Sequence, residues 1–268
     1  MPIVTVNGIR LNYEDVGAGD PVVMVMGTGS GGRVWHLHQV PAFIAAGYRV
    51  ITVDNRGIPP SDECAEGFTV DDMAADIAAL VEHLGLGPCR LVGTSLGAFV
   101  VQELALARPS LVRQAVLMAT RGRADVFRTA VARAEIALHD SGAVVPPVYD
   151  AIYRAVQNLS SRTLNDDAAM TDWLDLFELS PITGPGVRAQ LELSLSDNRL
   201  AAYRSIEVPC QVIAFEHDLN APPHLAREVA DAIPGARFDV VPGCGHYGYL
   251  EDPVAVNKII VEFFRTAA

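Results

Sequence analysis

The sequence predicts an α/β protein: a mostly parallel, doubly wound sheet with a helical cap insertion. Three observations point there. Short apolar runs alternate with helical patterns up to about Met118 and again from Val208, the rhythm of parallel strands covered by helices on both faces. Residues 121–204 break that rhythm with helical patterns alone. Between a strand pattern and a helix pattern stands Gly93-Thr94-Ser95-Leu96-Gly97, a Gly-x-Ser-x-Gly in the context that motif needs.

Each element has its own reason. Ile3–Val6 and Leu11–Glu14 alternate apolar and polar residues and are joined through Asn7-Gly8, a pair suited to a two-residue hairpin turn. Val22–Met26 is a continuous apolar run, hence a buried strand. Pro41–Ala46 is a short helix opened by its proline, and Tyr48–Val53 is another strand. Val70–Leu84 has helical periodicity, with Thr69 as N-cap and Asp71 and Asp72 suited to the first turn. Cys89–Gly93 is a strand, Leu96–Ala107 a helix stopped before Pro109, and Val112–Met118 a strand. Pro146-Pro147 and Pro181–Gly186 divide the helical block. A strand at Val208–Phe215, a helix near His224–Ala232, a strand at Arg237–Val241 and a helix near Val254–Arg265 follow. The expected organisation is a core of residues 1–120 and 205–268 with residues 121–204 inserted as the cap.

Composition narrows the function classes. Half of the 268 residues are apolar and 19% are charged, so the chain can bury a substantial core. A net charge of −12 repels phosphates and argues against a nucleic-acid partner. No apolar run approaches the roughly eighteen residues of a membrane span. The first residues read as a strand rather than a signal peptide. Cys64, Cys89, Cys210 and Cys244 are scattered without a C-x-x-C pair, as free thiols in a reducing compartment would be. A soluble cytoplasmic protein with no membrane partner is the expectation.

The chemistry centres on Ser95. A tight strand-to-helix turn lifts its central side chain above the sheet, and the helix dipole favours a developing negative charge there. Serine is a weak nucleophile at its free pKa and needs a base, which needs an orienting group. Asp218 lies in the loop after one later strand and His246 in a Gly-rich loop after the next. The order Ser, Asp, His is the one expected when all three groups gather at the carboxyl ends of strands in an open α/β sheet. Glu216, Asp231 and Asp239 compete with Asp218 for the role of acid. His36 and His38 point apart at i, i+2 on a helix, and no Cys/His cluster joins them, so no metal site is expected. Cys244 lies near His246, yet no flanking Lys or Arg would activate it, and it reads as a spectator.

These motifs resemble the α/β-hydrolases of the esterase, lactonase and cofactor-free haloperoxidase-like group. The likeness spans nearly the whole chain, from the Val22–Trp35 region through Asp54-Asn55-Arg56-Gly57 and the turn at Ser95 to Asp218 and His246. It settles an ambiguity at Gly27, Gly29 and Gly32, which fit the Gly-x-Gly-x-x-Gly of a dinucleotide-binding turn with Asp54 at the matching distance. Val40-Pro41 interrupts a helix starting near Gly32. A hairpin also precedes the glycine-rich strand, and a cofactor loop leaves Ser95, Asp218 and His246 unexplained. By resemblance, the loop instead donates the Thr28 backbone N–H, paired with that of Leu96, to an oxyanion. Met26 departs from the family's usual histidine before Gly27, which weakens a hydrogen-bonded support of the loop without removing the donor.

The resemblance implies a serine hydrolase that needs no cofactor. Ser95 attacks an acyl carbonyl, His246 moves the proton, Asp218 orients His246, and water resolves the acyl-enzyme. A small, largely uncharged ester or lactone is the expected substrate. Met26, Trp173 and Phe177 are the candidate substrate contacts, although Trp173 and Phe177 equally suit packing of the cap onto the sheet. Three alternatives keep the fold. One is an acyltransferase or thioesterase acting on a carrier-bound acyl thioester, with a basic patch at Arg121, Arg123 and Arg128 to receive an acyl carrier domain. The others are a C–C hydrolase or lyase, and a non-enzymatic small-molecule receptor.

Overall fold

In the computed structural model, which describes residues 2–195 and 197–266, Asn7 and Gly8 both have positive φ, 46° and 78°. That is the backbone of a type I′ turn, and it joins β1 (Ile3–Val6) to β2 (Ile9–Gly17) in antiparallel register. After β3 (Asp20–Val25), a 3-10 turn over Gly32–Leu37 and α1 (Gln39–Ala45) lead into β4 (Tyr48–Asp54). β2 runs past Glu14 because Asp15, Val16 and Gly17 pair with Ile51, Val50 and Arg49 of β4. A helical turn does start at Gly32, but it ends at Leu37. α1 begins at Gln39 rather than Pro41, leaving the proline in a first turn whose N–H groups have no intrahelical partner anyway.

α2 (Val70–His83) starts with a capping box: Thr69 Oγ1 accepts the Asp72 N–H at 3.1 Å, and the Asp72 carboxylate accepts the Thr69 N–H at 2.8 Å. β5 (Cys89–Thr94), α3 (Leu96–Ala107) and β6 (Val112–Met118) follow the predicted order. The chain then passes through α4 (Val126–Asp140), α5 (Pro147–Asn158), α6 (Ser161–Leu164), α7 (Asp167–Leu179), α8 (Pro185–Glu192) and α9 (Leu200–Tyr203). It rejoins the sheet at β7 (Cys210–Phe215) and continues through α10 (Pro223–Ala232), β8 (Arg237–Val241), the unforeseen α11 (Gly248–Glu251) and α12 (Pro253–Phe264).

The eight strands lie in the order β1-β2-β4-β3-β5-β6-β7-β8. Pairing is antiparallel from β1 to β4 through β2, and parallel from β4 onward. Alternation along each strand sends successive side chains to opposite faces. Val23, Val25, Ile51 and Leu91 join residues of α2, α3 and α10 in one cluster. Val22, Met24, Val50 and Val92 join Phe43 of α1 and Ile260 and Phe263 of α12 in the other. β5 is buried along its whole length, so its carboxyl end is held rigidly at the rim of the sheet. Among the described residues no helix is long and apolar enough to cross a membrane.

Candidate active site

Ser95 occupies the turn between β5 and α3 with φ 54° and ψ −120°. Such a conformation costs a non-glycine residue about 1–3 kcal/mol and persists only where its surroundings enforce it. Here a Cβ on Gly97 would fall 2.1 Å from the Val25 carbonyl oxygen, and one on Gly93 would fall 2.3 Å from that of Gly97. The two glycines therefore let the turn close against β3. The Ser95 N–H donates to the Met118 carbonyl at 3.0 Å, which ties the turn to β6.

Asp218 and His246 arrive from the loops after β7 and β8. The Asp218 residue is only 2% exposed, and its Oδ1 accepts the N–H groups of Asn220 at 2.7 Å and Ala221 at 2.8 Å. His246 Nδ1 lies 2.9 Å and 2.8 Å from the two carboxylate oxygens. Its Nε2 lies 3.0 Å from Ser95 Oγ. The three predicted residues thus form one hydrogen-bonded chain. The competing carboxylates are engaged elsewhere: Glu216 accepts the Gly243 N–H at 2.7 Å, Asp239 accepts from Gln211 at 2.9 Å, and Asp231 faces Arg227 at 3.9 Å.

Glu251, which the sequence reading did not single out, fastens the histidine loop. Its Oε2 accepts the Gly245 N–H at 2.5 Å, while Oε1 accepts from the Ser160 N–H at 2.9 Å and the Ser160 hydroxyl at 2.7 Å. The loop is thereby tied to the helices between β6 and β7. Glu251 sits on the four-residue α11, for which no periodic pattern exists to flag it.

The glycine-rich loop passes directly beside the serine, since a Cβ on Gly27 would lie 3.1 Å from Ser95 Cβ and 3.7 Å from its Oγ. Among the described residues neither the Thr28 nor the Leu96 amide donates a hydrogen bond within the chain. Asp54 accepts the Gly32 N–H at 2.7 Å, and Asn55 Nδ2 donates to the Met26 carbonyl at 2.8 Å. Gln190 of α8 completes the brace. Its Oε1 accepts the Gly29 N–H at 2.9 Å and its Nε2 donates to the Arg56 carbonyl at 2.8 Å. Arg56 is held in turn by a two-pronged pairing with Asp76, at 2.5 Å and 2.6 Å. Support for the loop therefore comes from Asn55 and Gln190 where the resemblance led one to look for a histidine at position 26.

Ser95 and His246 open into a cavity of about 620 Å³, walled on one side by the sheet and on the other by the helices between β6 and β7. Met26, Thr28, Leu96 and Phe177 all line it. Trp173 does not. Its ring lies 6.2 Å from that of Tyr247 in a stacked arrangement and 5.3 Å from Phe177, a layer behind the lining. The arginines of the expected basic patch, Arg121, Arg123 and Arg128, differ in setting, with Arg123 a third exposed. Arg123 pairs with Glu228 at 2.6 Å, Arg128 pairs with Asp125 at 2.8 Å, and Arg121 is buried. Cys244 is buried as well, and desolvation pushes its thiol up to about 11. Arg162 does reach its sulfur, at 3.8 Å, from a distant part of the chain that the local sequence does not reveal, but burial outweighs it.

An open sheet whose central strand ends in a serine-bearing turn, with histidine and aspartate on the loops after later strands, is the architecture of an α/β-hydrolase. The chain belongs to the alpha/beta hydrolase family, whose model matches residues 22–259. A Mycobacterium tuberculosis H37Rv protein named "Putative non-heme bromoperoxidase BpoC" is 53% identical over 259 residues, 96% of this chain and 98% of its own. The crystal structure under that name has a TM-score of 0.92 and covers 95% of each chain. A 2-hydroxy-6-oxononadienedioate/2-hydroxy-6-oxononatrienedioate hydrolase from Burkholderia vietnamiensis is 30% identical over 277 residues, 96% of this chain and 91% of its own. A thermophilic esterase from Thermogutta terrifontis is 25% identical, with a TM-score of 0.85 over 99% and 98% of the two chains. The protein is an enzyme of this family.

Proposed function

We propose that the protein is a serine hydrolase that cleaves a small ester or lactone through an acyl-enzyme. The observation that carries this reading is the continuous chain from Asp218 through His246 to Ser95 Oγ, with 3.0 Å between His246 Nε2 and the hydroxyl, at the wall of the cavity. His246 Nε2 takes the serine proton as Oγ attacks the carbonyl, and Asp218 holds the Nδ1–H tautomer and balances the imidazolium. The Thr28 and Leu96 amides, at the loop and at the first residue of α3, receive the oxyanion. His246 then protonates the leaving group, and a water deprotonated by His246 resolves the acyl-enzyme. The helices between β6 and β7 serve as the cap that shapes the substrate cavity. The four unpaired cysteines suit a reducing, cytoplasmic setting.

The name of the 53% identical relative favours a second outcome on the same acyl-enzyme. If hydrogen peroxide replaces water, the acyl group leaves as a peroxy acid and the serine is regenerated. The peroxy acid then oxidises bromide to hypobromous acid and becomes the carboxylic acid. With Arg123 and Arg128 engaged within the chain and Arg121 buried, no comparable observation recommends a carrier-bound thioester.

One experiment tests both outcomes. The protein is labelled with a fluorophosphonate and the adduct mapped by mass spectrometry. It is then assayed on short esters and lactones, and for bromination in acetate with peroxide. An adduct on Ser95 with ester or lactone turnover is expected. Labelling elsewhere, or no turnover and no bromination across the panel, removes the reading.

Gln190 offers a second check. Gln190→Leu leaves the buried Arg56 carbonyl and the half-buried Gly29 N–H unpaired, which costs about 1–3 kcal/mol of stability. It also frees the Thr28 loop to shift, and a displacement near 1 Å costs up to about 10²-fold in rate. The expected result is a lower melting temperature and a fall in kcat larger than any rise in KM. Gln190→Glu keeps the acceptor for Gly29 but sets a buried carboxylate oxygen against the Arg56 carbonyl, so it should lose stability as well while retaining more of kcat. A kcat equal to the parent's in Gln190→Leu would detach α8 from catalysis.

A further inference from the structure

Arg121 stands where β6 gives way to the helical block, and the mechanism above leaves it without a task. Ala119 just before it has φ 47°, a left-handed conformation unusual for a residue with a β-carbon. Thr120 is anchored through its hydroxyl to Gln102 Oε1 at 2.5 Å. This fixed backbone directs Arg121 inward, where it is only 8% exposed and lines the same cavity as Ser95 and Thr28. The strand it leaves is the one whose Met118 carbonyl holds the Ser95 amide.

The guanidinium lies over the Phe99 ring at 5.3 Å, and Nη2 donates to the Ser194 carbonyl at 3.2 Å. Among the described residues it forms no ion pair with a carboxylate. A buried charge without a contacting counter-ion is costly, and desolvation pushes the pKa of Arg121 down, outweighing the more distant attraction of Asp125 and Asp218. Most other charges around the cavity are paired or neutralised, and the remaining carboxylate, Glu178, lies at an exposed position of the lining. Arg128 pairs with Asp125 at 2.8 Å and Arg154 faces Asp150 at 3.6 Å. Burial raises the pKa of Glu135, favouring its uncharged form. Among the described residues, Arg121 is an arginine of the Ser95 cavity that has no carboxylate in ion-pair contact.

We propose that Arg121 recognises a carboxylate on the substrate, so that the compound cleaved at Ser95 is an ester or lactone carrying one free acid group. This rests on the acyl-transfer reading of Ser95. It replaces the largely uncharged substrate expected from the sequence with one that carries a single negative charge. A surface charge of −12 repels anions from a distance, but salt screens that field within about 10 Å. A guanidinium in an apolar cavity acts at contact, in a low dielectric, through a planar fork that matches a carboxylate.

The test has a kinetic arm and a binding arm. The para-nitrophenyl monoester of glutaric acid is compared with para-nitrophenyl pentanoate, placing the carboxylate on the acyl side. Para-acetoxybenzoate is compared with its methyl ester, placing it on the leaving-group side. In at least one pair the unmodified protein should prefer the acid in kcat/KM, and the pair that shows this identifies the side. Arg121→Met should lower that acid-to-neutral ratio about 10- to 100-fold, the effect of losing a charged hydrogen bond. Arg121→Lys, which keeps the charge without the fork, should fall between. No acid preference in either pair, or a ratio that Arg121→Met leaves unchanged, overturns the proposal.

The binding arm needs no turnover. The Ser95→Ala protein is titrated calorimetrically with monomethyl glutarate and dimethyl glutarate. Tighter binding of the mono-acid, lost on adding Arg121→Met, supports carboxylate recognition even where no ester is cleaved. That outcome would fault the hydrolase reading alone. Equal binding of the two overturns the proposal. Should Arg121→Met fail to fold by circular dichroism, the ratio in the unmodified protein and in Arg121→Lys decides.

Discussion

Replacing Ser95 with alanine should abolish covalent labelling and lower turnover by about 10⁴- to 10⁶-fold, the loss seen when one member of a cooperating triad is removed. The fold should survive. The Ser95 hydroxyl has His246 as its hydrogen-bond partner, whereas its backbone N–H, which bonds the Met118 carbonyl, is unaffected by the change. Alanine carries a β-carbon like serine and inherits the same strain at φ 54°. Ser95→Gly, which relieves that strain, should be the more stable of the two variants by about 1 kcal/mol. Mass spectrometry after brief exposure to an activated ester, with thermal unfolding alongside, reads both effects. An adduct persisting in Ser95→Ala would place the nucleophile elsewhere.

The candidate triad was legible because each member lies in a local pattern. Ser95 follows a wholly buried strand and is bracketed by glycines, and Asp218 and His246 follow the last two strands, β7 and β8, in order. The supports of the Thr28 loop were not legible. Gln190 meets Gly29 across 161 residues, and only the docking of α8 against the loops after β3 and β4 brings them together. Glu251 of α11 bonds Ser160, the N-cap of α6, across 91 residues, a meeting set by tertiary packing alone. Within the helical block the limit is different. Trp173 and Phe177 are one turn apart and share a face of α7, so periodicity treats them alike. Tyr247, from the histidine loop, packs against both rings, and only Phe177 reaches the cavity. β2 was read short because Asp15 breaks its alternation. That carboxylate is matched by Arg49 of β4, at 2.9 Å and 2.6 Å, a pairing the strand's own residues do not announce.

Asp218→Asn should lower turnover by about 10⁴-fold by analogy with other serine triads, with structure preserved. The geometry supplies the reason. Oδ1 of Asp218 accepts two backbone N–H groups, from Asn220 and Ala221, at 2.7 Å and 2.8 Å. An asparagine has one oxygen to offer, and these two donors hold it in the Oδ1 place. Its NH₂ group then faces His246 Nδ1, where the second carboxylate oxygen sits at 2.8 Å in the parent. Because NH₂ only donates, Nδ1 must become the acceptor and the ring proton moves to Nε2. Nε2 is the nitrogen 3.0 Å from Ser95 Oγ, so the base can no longer take the serine proton. Glu216→Gln is the control. Its carboxylate accepts the Gly243 N–H in an exposed position, with His217 Nε2 3.9 Å away, and the amide oxygen can still accept, so turnover should stay within about threefold of the parent, as expected for a surface change. Turnover of both variants, with near-ultraviolet circular dichroism to verify packing, decides between the carboxylates. A large loss in Glu216→Gln with near-normal Asp218→Asn would mean that the acid had been assigned to the wrong residue.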